Sequence, residues 1–172
     1  MTTIIRTLRL FLLGLWLGAA VFFGAVVAPT LFGVLRAADL ANANELAGSI
    51  VTRLLAIINK GGLEIGLFLI VTGFFVGGNE KRLIRFAEMI SLAIMSIMCG
   101  VSYWVISARM MALRAAMQLP IDQIARDDPR RVAFDNLHGY SVAVMGVAIV
   151  TGLVAFIIMA RAVSPTVREG SA

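Results

Sequence analysis

The chain has 172 residues, 60% hydrophobic and 15% charged, with 15 Lys+Arg against 10 Asp+Glu and a mean hydropathy of +0.93. A soluble domain carries roughly 45–50% apolar and about 25% charged residues, so this composition excludes a soluble globular enzyme, a disordered chain and a disulfide scaffold. It points to an integral membrane protein, and the basic excess sits beside apolar runs, as orientation signals do, so nucleic acid is not an expected partner.

No residue between Arg9 and Arg36 is charged. Residues 10–28 are enough to cross a hydrocarbon layer of roughly 30 Å. Arg6 and Arg9 followed by an apolar run resemble a secretory signal. The segment Ala25-Val-Val-Ala28-Pro29 has no clean small-x-small cleavage site, however, so an uncleaved first span is expected. The second run, 54–76, is interrupted by Lys60 and Glu64. Gly77-Gly78-Asn79-Glu80 then predicts a tight helical hairpin with Asn79 capping the next helix. The third run, 89–108, is free of charge, and its helix can continue through Arg109 and Arg114 to Gln118 before Pro120 stops it. The fourth, 139–160, stops at Arg161. Asp128-Pro129 is an N-cap followed by proline at the first helical position, which starts that helix early. It would then cover roughly 32 residues, or about 48 Å. Asn44-Glu45 opens the second helix in the same manner.

The expected fold is therefore all-α: an integral membrane four-helix bundle in one domain, with helices 2, 3 and 4 extended beyond the bilayer on one side. The spans fall at about 8–29, 54–76, 86–108 and 137–160 by length and hydropathy. Residues 109–136 form an extramembrane helical hairpin connection, part of a rim standing roughly 10–15 Å above the hydrocarbon. Basic residues tie across the two sides. Arg6, Arg9, Lys81, Arg82, Arg85, Arg161 and Arg168 are packed into short segments. Arg36, Arg53, Arg109, Arg114, Arg126, Arg130 and Arg131 are spread over long connections. The pair before the first span sets the orientation, which places both termini in the cytoplasm, in a bacterial inner membrane. Cys99 is the single cysteine, so no internal disulfide is possible.

Small residues recur at four-residue spacing: Gly14 with Gly18, Gly62 with Gly66, Ala148 with Gly152. Such pairs let helix backbones approach closely, either within the bundle or in a homodimer or larger membrane complex. Lys60 and Glu64 share a helix face. They read as a structural ion pair or as part of an ion, proton or ligand site. The sole histidine, His138, lies in Phe134-Asp-Asn-Leu-His-Gly-Tyr-Ser141, with Asp135, His138 and Ser141 at three-residue spacing. It can ligate a metal or haem iron, shuttle protons with Asp135 or Glu64, or tie helix 4 to a neighbour. Arg53, Asn59 and Lys60 on helix 2, and Tyr103 and Arg109 on helix 3, belong to the same end of the bundle. Met95, Met98 and Cys99 form a soft-sulfur patch on helix 3 that suits copper or serves as packing. No cofactor is required by any motif, with haem or copper as the alternative, and no nucleophile has a base beside it.

Gly14-Leu-Trp16-Leu-Gly18, Phe22-Phe23 and Ala28-Pro29-Thr-Leu-Phe32 resemble the start of the transmembrane-protein-205-like family. Ile106-Ser-Ala-Arg109, Leu113-Arg114 and the Phe134–Ser141 segment extend the resemblance from about residue 10 to 160. It implies a four-helix membrane protein without an established reaction, distantly similar to copper-resistance D proteins and haem-binding protoporphyrinogen oxidases. The combined expectation is a non-enzymatic membrane protein whose outer-leaflet polar cluster (Arg53, Asn59, Lys60, Glu64, Tyr103, Arg109, Asp135, His138, Ser141) binds a small ligand, ion or protein partner. The alternatives are a metal or haem protein using His138 and a structural subunit of a membrane complex.

Overall fold

The computed structural model describes residues 2–76 and 82–163. The first span is α1 (Thr2–Phe22), a π-helical turn (Phe23–Val27) and α2 (Ala28–Ala37). The second is one helix, α3 (Ala43–Phe75). The third is α4 (Arg82–Gly100), a second π-turn (Val101–Ile106) and α5 (Ser107–Met117). A short 3-10 turn (Ile121–Gln123) leads to α6 (Pro129–Val163). Four stretches are long and apolar enough to cross a membrane, and no strand occurs among the described residues. The proposed hairpin at Gly77–Glu80 lies outside the described residues.

The helix limits follow local chemistry. Asp128 caps α6: its Oδ1 accepts the Arg130 backbone N–H at 2.8 Å, with Pro129 supplying the donor-free first position. α5 ends where Gln118 turns left-handed at φ 56° ahead of Pro120. The helix of the first span runs on past Pro29. Proline removes an amide donor and crowds the carbonyl four residues earlier. Here the helix widens by one residue instead, and the Ala28 N–H reaches back to the Phe23 carbonyl, so α2 continues to Ala37. The second π-turn has no proline. The Ser107 hydroxyl and its own backbone N–H both bond the Ser102 carbonyl, the hydroxyl at 2.9 Å.

The bundle closes as a ring: α1 packs on α3 and α6, and α4 packs on α3 and α6. Its core joins Leu13, Trp16 and Leu17 of α1 to Leu69, Leu92, Met95 and Cys99, with Ala148 and Ala155 of α6. The small residues serve this core. A Cβ on Gly62 would lie 2.5 Å from Trp16 Nε1, and one on Gly66 would lie 2.1 Å from Ser96 Oγ. Trp16 Nε1 donates to the Ile58 carbonyl at 3.0 Å, a bond that needs this close approach. Gly18 contacts nothing in the same way.

Two buried polar ties cross the bundle. Arg9 of α1 meets Glu88 of α4 at 2.7 Å, with side chains 6% and 8% exposed, and Arg9 Nη2 also donates to the Leu69 carbonyl of α3 at 3.0 Å. One arginine thus links three spans. Asn59 Nδ2 donates to Ser102 Oγ at 2.8 Å, with both residues fully buried. The outer surface carries Phe11, Phe74, Phe75, Phe86, Trp104 and Val150, all exposed. A bilayer is the solvent such a surface needs.

Candidate functional site

Opposite the Arg9–Glu88 end, the helix extensions and the 118–128 connection enclose a second apolar cluster: Ile106, Met110, Met117, Ile121, Ile124 and Phe134. Asp122 of the 3-10 turn fixes this connection to the start of α3. Its Oδ2 accepts the Glu45 backbone N–H at 3.0 Å, and its Oδ1 accepts from Asn44 Nδ2 at 2.5 Å. It therefore satisfies a helix N-terminal amide that the chain's own Asn42 leaves uncapped. Glu45 returns the contact, accepting the Ile121 N–H at 3.3 Å. Arg131 of α6 donates to the Ile121 carbonyl at 3.1 Å and also to the Ile124 carbonyl, holding the connection from its other side.

Between α2, α3, α5 and α6 these elements leave a cavity of about 880 Å³. Its apolar wall is Phe32, Val51, Leu55, Met110 and Phe134. Arg36, Arg114, Arg126 and Arg131 also line it, with one lining acid, Asp135, and His138. Ser107 and Ser141 add hydroxyls.

The four arginines are not equivalent. Arg114 lies 3.2 Å from Glu45, an ion pair without hydrogen-bond alignment at Nε, and its guanidinium stacks 5.2 Å over Phe134. A Cβ on Gly48 would fall 2.5 Å from its Nη2, so glycine there makes room for it. Arg131 is spent on carbonyls. Arg36 gives Nε to Asn44 Oδ1 at 2.8 Å and stacks 5.4 Å over Phe32, which leaves its two terminal nitrogens uncommitted among the described residues. Arg126 is exposed and has no ion-pair or hydrogen-bond partner among them. Arg130, just outside, is occupied by Asp128 at 2.7 Å. These hydrogen bonds hold the Asp128 carboxyl down to about 2 and raise Arg130 above its ordinary value.

The structure brings together only part of the expected cluster. Asp135, His138 and Ser141 line the cavity. Asn59 is buried beneath it, bonded to Ser102. Arg53 and Arg109 are exposed and line no part of it, and Tyr103 stacks edge-on against Trp104 at 5.7 Å. Lys60 and Glu64 pair with each other at 3.7 Å on the outside of α3, their side chains 60% and 64% exposed. Met95 and Cys99 are fully buried in the bundle core and Met98 packs against them, away from the cavity-lining His138. No three of His, Cys, Asp and Glu among the described residues could hold a metal ion. Sequence reasoning did not include Arg36, Arg114, Arg126 and Arg131 among the site residues and used them as orientation signals. Their clustering depends on contacts between residues some 80 apart, such as Asn44 with Asp122.

No curated protein and no solved structure matches the chain. A family model does match it, over residues 11–118, which is more than half its length and covers the first three spans with the cavity walls from α2, α3 and α5. On that match, this four-helix membrane protein belongs to DUF4149, a domain of unknown function.

Proposed function

We propose that the protein is a non-enzymatic membrane protein that holds a small anionic amphiphile in the cavity at the end of its bundle. One observation carries this reading: a partly open cavity of about 880 Å³ whose lining interleaves aliphatic and aromatic side chains with four arginines. Ligand cavities typically measure roughly 300–1,000 Å³, with few, well-placed polar groups. Arg36 and Arg126 supply the uncommitted donors, and arginine's planar fork suits carboxylate and phosphate oxygens. Arg114 and Arg131 are held by protein groups and shape the wall. Ser107, Ser141 and His138 line the space, but no hydrogen bond joins His138 to either serine among the described residues, which favours binding over catalysis.

The finer kinship with the transmembrane-protein-205-like family belongs to the same reading. The Phe134–Ser141 segment that carries it lies outside the matched region, and Phe134, Asp135, His138 and Ser141 all contribute to the cavity. With both termini cytoplasmic, as Arg6 and Arg9 before the first span favour, the cavity opens on the periplasmic side of a bacterial inner membrane. Reporter fusions at each terminus test that orientation.

Ligand binding is tested by native mass spectrometry of the intact protein against decyl phosphate, decyl trimethylammonium and decyl maltoside. Decyl phosphate is expected to be retained and the other two to be released at equal concentration. The double variant Arg36→Gln/Arg126→Gln should lose at least ten-fold in retention. Equal retention of the cationic and anionic amphiphiles would overturn the proposal.

A further inference from the structure

The Lys60–Glu64 pair lies apart from the cavity and is not explained by it. A membrane crossing takes about 20 helical residues. α3 ends at Phe75, so every 20-residue stretch of it that begins after Glu45 contains both charges. The pair is thus at membrane depth. It also points outward: both side chains are more than half exposed, while Asn59, Gly62 and Gly66 turn the opposite side of α3 into the core. Beyond the pair toward the end of α3 the outward face is apolar, with Leu67, Val71 and Phe74 exposed on it, and toward its start Ile57 is followed by the exposed Arg53. Two ionised groups facing hydrocarbon are costly, and their mutual contact at 3.7 Å leaves most of each headgroup bare.

We propose that this face of α3 joins two copies of the chain in the membrane, about a two-fold axis along the membrane normal, with Lys60 of each copy against the partner's Glu64. The argument is charge complementarity. A two-fold contact is isologous, so if Lys60 reaches diagonally to the partner's Glu64 one turn away, the partner's Lys60 makes the same contact in return. The offset between Lys60 and the partner's Glu64 is about 6 Å along the axis, which the lysine stem spans. The four charges then close a ring in which each has an opposite neighbour on either side. Gly61 sits between the pair and has nothing within 4 Å of where a Cβ would be, so the second backbone can come close there. Gly62 and Gly66 are taken up by the internal contacts with Trp16, Cys99, Met95 and Ser96, so that motif is not what joins the copies.

The test uses the full chain in lipid nanodiscs and counts subunits by single-molecule photobleaching. Wild type is expected to be dimeric. K60E gives the face two acids and E64K gives it two bases, so each alone should lower the dimer fraction at least ten-fold. Mixing the two variants before reconstitution should restore dimers made of one chain of each kind, a rescue that pairing within one chain cannot produce. G61L adds a bulky side chain at a position where a Cβ meets nothing within 4 Å in the monomer, and it should also give single subunits. Circular dichroism and the thermal midpoint check that each variant is folded. A monomeric wild type overturns the proposal, whether it is isolated alone, with bound lipid or with another membrane protein. So does a dimer indifferent to K60E, E64K and G61L.

Discussion

Glu88→Ala is expected to lower the folding free energy by about 3–5 kcal/mol, the range for removing one partner of a buried ion pair. The structure supplies the reasons for the high figure. Arg9 and Glu88 meet at 2.7 Å with side chains 6% and 8% exposed, so water cannot replace the lost carboxylate. Arg9 would keep one acceptor, the Leu69 carbonyl at 3.0 Å, and its Nε already has none. A cation would remain buried among α1, α3 and α4 with one neutral acceptor. Replacing both partners by apolar residues removes the charge together with its penalty, so Arg9→Leu/Glu88→Leu should fall within about 2 kcal/mol of wild type. Reversible unfolding in mixed micelles, followed by the fluorescence of buried Trp16, measures all three proteins. The reasoning fails if Glu88→Ala costs less than about 1 kcal/mol, or if the double variant is no more stable than the single one.

Gly66→Ala places a Cβ 2.1 Å from Ser96 Oγ, whose own bond to the Leu92 carbonyl resists displacement. A loss of about 1–3 kcal/mol is expected, while Gly18→Ala, with nothing nearby, should gain a few tenths up to about 1 kcal/mol in the same assay. The Asp128 carboxyl should titrate by NMR near 2, and Arg130→Gln should move its midpoint up toward the ordinary value of about 3.9. Because the folded value is the lower one, the stabilising contribution is present above about 3.9 and disappears as pH falls through about 2. Cys99 is fully buried and is the chain's sole cysteine, so a maleimide should label it slowly in mild detergent and rapidly in SDS. Fast labelling in the native state would contradict the packing of α4.

Much of the architecture was legible because it depends on local signals. Apolar runs long enough to cross a membrane, Asp128-Pro129 as a start and Pro120 as a stop act within a few residues, and the helices obey them. What depends on helix rotation or distant contacts was not legible. The π-turn that carries the first helix past Pro29 has no signal in the sequence analysis. Lys60 and Glu64 share a face by spacing, but spacing does not say that the face points away from the bundle. Arg9 and Glu88 are 79 residues apart and each looks like a border charge. The site was half visible. Asp135, His138 and Ser141 were found by their three-residue spacing on one helix. Of the arginines beside them, Arg131 shares α6 while Arg36, Arg114 and Arg126 come from three other segments, and the fold of the 118–128 connection gathers them.

The central claim is that an anionic amphiphile occupies the cavity between α2, α3, α5 and α6. Photocrosslinking addresses it most directly. A decyl phosphate carrying a diazirine near the end of its chain would be activated on the intact protein, and the adducts located by peptide mass spectrometry. The account predicts adducts on the apolar wall, at Phe32, Val51, Leu55, Met110 or Phe134, that disappear with excess unlabelled decyl phosphate. Adducts confined to outward residues such as Phe74, Phe75 and Val150, unaffected by competition, would contradict it.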